Sequence, residues 1–309
     1  MPEIIQVKNL YKKFKEVEAV HNLSFSVSKG EVYGFLGQNG AGKSTTIRML
    51  LTLVHPTSGN ILIFGDDIYK RRNAVLGRIG AIVEKPDLYL YLSALENLQM
   101  MANLNGCTKT QKQLTDQLEQ VGIADRALSK VRTFSQGMKQ RLGIACALIH
   151  NPDLIILDEP TNGLDPQGIA DVRNLVLHLS RNEGKTIFVS SHLLSEVELI
   201  ADSMLIIDRG KRIAEGKVSE LLNPKDSLLK IESTDNDSAI RCLLQSQWAQ
   251  FLTPGKGLQL RMDKQEIPAL TRFLVQKNID IISLQSKHSL EEYFLSLTTS
   301  NQHVATYKD

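Results

Sequence analysis

The stretch that decides the fold is GQNGAGKST, which runs from Gly37 to Thr45. It follows an apolar, strand-like segment and opens a helix-like one, which is the context in which a glycine-rich loop binds phosphate. Its glycines let the backbone curl so that successive N–H groups point inward at an anion. Lys43 adds a positive charge for the β- and γ-phosphates, and Ser44 offers a hydroxyl to Mg²⁺. The stretch predicts a nucleoside triphosphate site built from Gly37, Gln38, Asn39, Gly40, Ala41, Gly42, Lys43, Ser44 and Thr45.

A second apolar strand, in LIILDEP (Leu154–Pro160), ends in two carboxylates. Asp158 can reach the Mg²⁺ shell, while Glu159 stands where a water could be activated. A buried strand that simply emerges into solvent explains such a pair equally well, but the phosphate loop favours the catalytic interpretation. His192 follows another apolar strand and can touch the γ-phosphate or the attacking water. A histidine at a helix start is more often structural, and only its companions favour function. We predict that Lys43, Glu159 and His192 are catalytic.

A further helix start of the kind that suits an anion lies in TFSQGMKQRLGIACA (Thr133–Ala147). Ser135 can cap the helix, Gly137 leaves the backbone bare, and an apolar run follows at helical spacing. Taken alone, the same pattern describes an ordinary helix start. Because the phosphate loop already binds phosphate, this segment would be a second anion site in one chain.

The composition is that of an ordinary globular chain. Of its 309 residues, 42% are hydrophobic and 23% are charged, which allows two domains. The net charge is +2 and the basic residues are spread along the chain, so no nucleic acid partner is expected. Cys107, Cys146 and Cys242 lie far apart, which favours reduced thiols over a zinc or redox site.

The sequence contains neither a run of about 18 to 20 apolar residues nor a signal-peptide core at its start. We therefore expect a cytoplasmic chain. If it serves a membrane process, it is peripheral on the inner face of the cell membrane, and another polypeptide supplies the membrane spans.

Strand-like and helix-like segments alternate from residue 1 to about residue 215, which predicts an α/β domain with a largely parallel core sheet. We place this domain at residues 1–220. Residues 225–300 read as a small α+β accessory domain without a chemical motif, whose last helix begins with a capping box from Ser289 to Glu292. Residues 301–309 are expected to form a loose tail.

Together these motifs resemble those of the nucleotide-binding subunit of an ABC transporter, over residues 4 to about 215. The resemblance implies a P-loop NTPase cassette, with a mixed, largely parallel core sheet and a helical subdomain. GQNGAGKST resembles the Walker A motif, LIILDEP the Walker B motif, and GLDP (Gly163–Pro166) the D-loop with Asp165. The segment SSH with His192 is similar to the switch-histidine segment. Phe14, 29 residues before Lys43, corresponds to the aromatic residue that stacks on adenine.

Two positions depart from the family pattern. In FSQGM, the signature motif keeps Ser135 and Gly137, but Gln136 and Met138 replace the usual Gly and Gln. In GAIVEKPDLY, Glu84 stands where the family usually has the Q-loop glutamine. Its carboxylate can still bind Mg²⁺ or its water, or it can simply face solvent. These variations, with EKPDLYLYLSALENL and HSLEEYFLSLT, resemble the exporter branch that includes bacitracin- and lantibiotic-resistance transporters.

The resemblance implies a homodimer of nucleotide-binding domains that works with a separate transmembrane permease subunit. ATP and Mg²⁺ bind to one chain, and the second chain presents Ser135 and Gly137 to the same γ-phosphate. Asp165 belongs to the same nucleotide site, and Asp158, Ser44 and Glu84 are the expected metal ligands. Tyr89 to Leu92 lie where the permease would dock, although core packing explains them equally well. The expected function is ATP hydrolysis coupled to transport, with export of a peptide antibiotic or a similar drug-like compound.

The sequence also bears on three other classes of nucleotide-binding protein. A GTPase would need a guanine-reading Asn/Thr-Lys-x-Asp run, which the sequence lacks. A soluble ABC-type ATPase of repair or translation usually has two cassettes or a long coiled-coil insert, and this chain has one cassette and no long heptad run. A regulatory module that holds ATP without hydrolysing it is a third possibility. The soluble ATPase and the regulatory module stay open as alternatives.

Overall fold

The computed structural model describes residues 2–221, 227–253 and 257–288. The chain divides into two compact units, the first ending at Val218 and the second beginning at Ser219. The division falls close to the limit of residue 220 that the sequence suggests. Nowhere in these ranges is a helix both long enough and apolar enough to cross a membrane.

The first unit combines strands and helices in alternation. Its strands are β1 (Glu3–Phe14), β2 (Val17–Ser28), β3 (Val32–Gly37), β4 (Ser58–Ile63), β5 (Asp66–Asp67), β6 (Ile79–Ile82), β7 (Leu154–Asp158), β8 (Thr186–Ser191), β9 (Ser203–Asp208) and β10 (Lys211–Lys217). Its helices are α1 (Lys43–Leu50), α2 (Arg72–Leu76), α3 (Ala94–Leu104), α4 (Gln111–Gln120), α5 (Gln136–Ala147), α6 (Pro166–Arg181) and α7 (Leu194–Glu198), and α8 (Val218–Leu221) lies at the division.

The core sheet has the strand order β10-β9-β3-β8-β7-β6. Strands β6, β7, β8, β3 and β9 are parallel, and β10 pairs with β9 in the antiparallel direction. The strands β3, β7 and β8 are buried along their whole length, because both faces of the sheet are covered. Alternate residues of β7 therefore enter different clusters: Ile155 and Leu157 pack among the helices, and Leu154 and Ile156 pack towards β1 and β2. The α/β class with a mixed, largely parallel sheet is confirmed.

A separate antiparallel sheet with the order β2-β1-β4-β5 covers one face of this core. The sequence places the segment GNILIFG in the alternating series, but its strand β4 pairs with β1 in this second sheet instead of joining the parallel one. The burial of β4 explains the difference. Ile61 and Ile63 are buried while Asn60 is exposed, and this half-buried pattern is typical of an antiparallel sheet with one solvated face.

The helices α3, α4 and α5 pack together over the opposite face and form the predicted helical subdomain. Capping boxes begin α3 at Ser93 and α4 at Thr110. Ser135 caps α5, since its Oγ accepts a hydrogen bond from the Met138 N–H. Helix α4, which is polar, and the signature segment that Ser135 caps therefore fold locally as their sequences predict.

The second unit has the elements β11 (Ser227–Ser233), α9 (Asn236–Leu244), β12 (Gln259–Met262), α10 (Ile267–Gln276) and β13 (Ile281–His288). Its antiparallel sheet has the order β12-β11-β13. Side chains such as Leu229, Leu243, Trp248 and Leu270 form its core. Its strands and helices give it an α+β composition. The helix predicted from Ser289 and the tail at 301–309 lie outside the described residues.

The three cysteines differ in burial, which makes their reactivity a test of the packing. Burial raises the pKa of the Cys146 thiol to about 12, whereas Cys107 and Cys242 are half-buried. Because the thiolate is the reactive form, we expect iodoacetamide at pH 8 to label Cys107 and Cys242 well before Cys146 in the folded chain. Mass spectrometry of the labelled peptides measures this order, with the denatured chain as the control in which all sites react. Labelling of Cys146 at the rate of Cys107 in the folded chain would contradict the packing of α5.

Candidate nucleotide-binding and catalytic site

The phosphate loop depends on glycines in left-handed backbone conformations. Strand β3 ends at Gly37 and α1 begins at Lys43, as the sequence predicts. Gly40 has a φ of 83° and Gly42 a φ of 103°, values that residues with a Cβ rarely adopt. A Cβ on Gly42 would also lie 2.5 Å from the carbonyl oxygen of Ala19. Glycine at these positions therefore permits the curl that leaves the N–H groups of the helix start available to an anion.

The turn between β9 and β10 supports this loop from the side. The N–H of Gly210 donates to the carbonyl oxygen of Ala41 over 2.9 Å, and its carbonyl oxygen accepts from the His21 N–H over 2.9 Å. A Cβ on Gly210 would lie 2.7 Å from the Ala19 carbonyl oxygen. Main-chain hydrogen bonds through Gly210 thus connect the phosphate loop to the turn between β9 and β10 and to β2.

Lys43 links the phosphate loop to the end of β7. Its side chain is only 5% exposed, and Nζ lies 3.0 Å from Oε1 of Glu159. The ammonium group also donates to the carbonyl oxygens of Gly37 over 2.6 Å and of Gln38 over 3.1 Å. A buried ammonium group requires partners of this kind, because it has lost its hydration.

Glu159 lies between two basic side chains. One carboxylate oxygen pairs with Lys43, and the other lies 2.6 Å from Nδ1 of His192. The side chain is 17% exposed, so solvent screens these interactions weakly. Glu159 also has a φ of 49°, a left-handed conformation that the surrounding contacts must hold in place. The structure therefore brings together all three residues that the sequence predicts to be catalytic.

Asp158 is oriented by a serine on the neighbouring strand. The parallel register places Asp158 beside Ser190. Ser190 Oγ donates to Asp158 Oδ1 over 2.6 Å and accepts from the Glu159 N–H over 2.9 Å. Asp158 Oδ2 is buried and has no hydrogen-bond partner among the described residues. A buried carboxylate oxygen without a partner is a ready ligand for a cation.

Two open pockets adjoin the phosphate loop. One has a volume of about 640 Å³ and is lined by Ser44, Glu84, Asp158 and Glu159, among others. The other, of about 410 Å³, is lined by the loop residues and by Val17 to Ala19. The two pockets share Asn39, Ser44 and Glu159, and their size is that of small-molecule sites.

Ser44, Glu84 and Asp158, the predicted metal ligands, line the same pocket. Within the described ranges, no three His, Cys, Asp or Glu side chains form a metal-binding group. A hydroxyl and one or two carboxylates suit Mg²⁺, which keeps several waters and takes further oxygens from phosphates. Glu84 itself is paired with Arg48 of α1 and is largely exposed.

Four other predicted nucleotide ligands do not line the two pockets, although Gln136, between two of them, lines the larger pocket. Phe14 lies at the end of β1 opposite Val17, and its ring is 44% exposed with the Lys12 Nζ 4.6 Å from its centroid. The hydroxyl of Ser135 caps α5. Asp165 caps α6, since Oδ1 accepts from the Gly168 N–H over 2.9 Å. Phe14, Ser135, Gly137 and Asp165 line neither pocket, so their contact with nucleotide stays a prediction.

Comparison with known proteins decides the family. The ABC transporter family model matches residues 20–162, a range that includes the phosphate loop, Asp158 and Glu159. The bacitracin transport ATP-binding protein BcrA of Bacillus licheniformis is 41% identical over 300 residues, which cover 96% of this chain and 98% of the relative. The chain belongs to the ABC transporter family. The lantibiotic transport ATP-binding protein SrtF of Streptococcus pyogenes is 43% identical over 212 residues, covering 69% of this chain and 90% of the relative.

Solved structures agree with this assignment. The structure of an ATP-binding subunit of an ABC transporter superposes with a TM-score of 0.63 at 31% identity, covering 71% of this chain and 91% of the other. The cassette MJ0796, a dimer in a post-hydrolysis state with ADP and Pi, gives a TM-score of 0.61 at 26% identity, covering 69% of this chain and 98% of the other. The chain is therefore an ATP-binding subunit of an ABC transporter and an ATPase.

Several residues of the ABC subunit's site escape prediction from the sequence. Gln140 is 5% exposed and lines the pocket with Asp158, and its Nε2 has no partner among the described residues. Ser190 orients Asp158, and Arg209 lines the second pocket. In the sequence, only the two serines just before His192 indicate such a residue. Polar residues at the carboxyl end of a buried strand lie at the edge of a parallel sheet where ligands bind.

Proposed function

We propose that this subunit binds ATP and Mg²⁺ between two copies of the chain and uses hydrolysis to drive export of a peptide antibiotic or a similar drug-like compound through a separate membrane subunit. The contact of Glu159 with both Lys43 and His192, beside the phosphate loop, carries the catalytic part of the proposal. The likeness to bacitracin and lantibiotic transport proteins supports the cargo class.

Glu159 is the proposed general base. The water oxygen attacks the γ-phosphorus, its proton passes to the Glu159 carboxylate, and the bond between the γ-phosphorus and the β-phosphate oxygen breaks to leave ADP and phosphate. Lys43 holds one oxygen of this carboxylate. When ATP enters the loop, its β- and γ-phosphates take Lys43 and leave that oxygen free to accept a proton. His192 keeps its Nδ1 contact with Glu159, so its other ring nitrogen can steady the γ-phosphate.

The metal would be held by the hydroxyl of Ser44 and by Oδ2 of Asp158, which has no hydrogen-bond partner in the described part of the chain; both residues line one pocket. Mg²⁺ supplies charge neutralisation of the β- and γ-phosphate oxygens when it is bound. Glu84 would also hold the metal, directly or through a water, once it is free of Arg48. Phe14 provides an exposed aromatic face for the adenine.

The signature segment is the proposed contribution of the second chain. The N-terminus of α5 carries roughly half a positive charge from the helix dipole, and Ser135 and Gly137 do not line the pockets of their own chain. In a head-to-tail dimer they meet the γ-phosphate that the partner binds, with Asp165 at the same junction. Closure on ATP and reopening on ADP then bias the membrane subunit, because the two states bind these nucleotides differently.

The proposed docking surface for the membrane subunit is the segment Tyr89–Leu92. Tyr89, Leu90 and Tyr91 are exposed, by 67% in the case of Tyr91, and the two tyrosine rings pack edge to face at 5.9 Å. Clustered exposed apolar side chains of this kind mark interaction sites. Docking there places the chain in the cytoplasm, peripherally at the inner face of the cell membrane.

The Glu159→Gln variant tests the proposed base. It removes the proton acceptor but retains the shape of the side chain, so phosphate release should fall at least about 100-fold while ATP binding persists and the ATP-bound dimer accumulates. Phosphate release and size-exclusion chromatography with ATP measure the two effects. Glu198→Gln, at an exposed position, is the control. Turnover at the wild-type rate in Glu159→Gln would exclude Glu159 as the base.

The Gly137→Asp variant tests the composite site. A Cβ at Gly137 meets only ordinary contacts, the nearest at 3.6 Å, and an acidic residue suits a helix start, so the fold should survive. The added charge repels the partner's γ-phosphate. We expect ATP binding to the isolated chain to remain while ATP-driven dimerisation and hydrolysis are lost, and Gly137→Asn controls for size. A Gly137→Asp chain that still closes and hydrolyses ATP would refute the shared site.

Purification from detergent-solubilised membranes tests the transport role against the soluble alternatives. We expect the chain to co-purify with a protein that has several membrane spans, and Leu90→Asp to abolish this association because it charges the docking surface. Leu104→Asp, at another exposed leucine, should leave the association unchanged. Stable association with ribosomes or DNA instead would favour a non-transport ABC ATPase.

A further inference from the structure

Glu196 connects the two segments that carry the catalytic side chains. Its Oε2 accepts a hydrogen bond from the Thr161 hydroxyl over 2.8 Å and another from the Ser191 hydroxyl over 2.8 Å. Thr161 lies two residues after Glu159, and Ser191 directly precedes His192. One carboxylate oxygen therefore joins the chain just beyond the proposed base to the chain just before the histidine that contacts it.

Local backbone contacts make each end of this bridge specific. The Asn162 N–H donates to the Glu159 carbonyl oxygen over 3.2 Å, so Thr161 lies within the turn that Glu159 opens. Ser191 Oγ, besides donating to Glu196, accepts from the Leu193 N–H over 3.0 Å, which fixes the turn that carries His192. A displacement of Glu196 would release both turns together.

The surroundings of the bridge strengthen it. Thr161, Ser191 and Glu196 form part of the wall of a pocket of about 310 Å³. The rest of that wall is mainly aliphatic and includes Val172, Val176, Val189, Val197 and Ile200. Hydrogen bonds next to apolar side chains are electrostatically stronger than those in water.

We infer that Glu196 is a positioning residue for ATP hydrolysis: it holds the turn after Glu159 against the turn before His192, and so maintains the 2.6 Å contact between these two side chains. This inference rests on the proposed function of Glu159 and His192. Among the described residues, no hydrogen bond or ion pair joins Glu196 to either of them, and it acts through Thr161 and Ser191. The left-handed backbone of Glu159 is the kind of conformation that persists only when neighbouring contacts enforce it.

The test compares two substitutions of Glu196 in the full chain. Glu196→Ala removes the acceptor, and because small misplacements of reacting groups are expensive, kcat should fall by about 10- to 100-fold. The KM and the dissociation constant for ATP should stay within about twofold, since the phosphate loop is intact. Glu196→Gln keeps an oxygen that can accept both hydroxyl hydrogens, and it should restore kcat to within about threefold of wild type. Glu198→Ala, an exposed glutamate on the same helix, is the matched control and should behave as wild type.

A second comparison removes the other end of the bridge. Thr161→Val deletes the hydroxyl but keeps the shape, and Thr161→Ser retains the hydroxyl. We expect Thr161→Val to lower kcat in the wild-type background and Thr161→Ser to lower it much less. In the Glu196→Ala background Thr161→Val should add little, because residues that act as a unit are not additive. This comparison does not require the Glu196→Ala chain to be as stable as wild type.

Three results would overturn the inference: undiminished kcat in Glu196→Ala, a loss in Glu196→Gln as large as in Glu196→Ala, or full additivity with Thr161→Val. A purely structural role would lower the melting temperature and the amount of active chain, but kcat per chain that binds ATP would stay at the wild-type value. Turnover that is lost in Glu159→Gln but unchanged in Glu196→Ala would refute the bridge and leave the proposed base in place.

Discussion

The carboxyl ends of β3, β7 and β8 meet at one edge of the parallel sheet, and the chemistry of this ABC subunit depends on that shared edge. The register aligns Leu36 with Ser191 and Asp158 with Ser190. Asp158 is the last residue of β7, and Glu159 and His192 directly follow β7 and β8, so the strands themselves bring these side chains to the end of β3 where the phosphate loop begins. Ligands of open α/β sheets bind at this edge for the same reason.

Charge balance at this edge explains why the buried groups are tolerated. Lys43 and Asp158 are almost fully buried, and burial of an unpaired charge is costly. Lys43 is satisfied by Glu159 and by carbonyl oxygens, while among the described residues only one oxygen of Asp158 has a hydrogen-bond partner, which is Ser190. The charge of Lys43 is therefore balanced by its neighbours, whereas the second carboxylate oxygen of Asp158 is suited to bind a cation. In the proposed mechanism the nucleotide phosphates would replace Glu159 as the partner of Lys43. The metal, bound together with the nucleotide, would be held by the second oxygen of Asp158.

The sequence predicts those parts of the fold whose geometry is local. The strand, glycine loop and helix around Lys43, the cap at Ser135 and the acidic end of β7 all follow from residue order alone, because each depends on neighbours in the chain. The antiparallel pairing of β4 and the contacts of Gln140 could not be predicted, since they depend on which distant element comes to lie alongside. The bridge through Glu196 is similar: one helical glutamate reads as an ordinary first-turn residue until Thr161 and Ser191 are brought to the same oxygen.

Glu84 is the position where the sequence departs from its family and the structure supplies a compensation. A carboxylate in place of an amide brings an extra negative charge towards the proposed γ-phosphate position, and Arg48 on α1 pairs with it. Glu84 is 62% exposed and Arg48 is 41% exposed, and ion pairs that reach solvent contribute only about 0 to 1 kcal/mol. Loss of this ion pair would therefore cost little, and while it persists Arg48 balances the charge of Glu84. The ion pair with Arg48 is thus compatible with the proposed metal role of Glu84, because the charge of the carboxylate would be balanced in either arrangement.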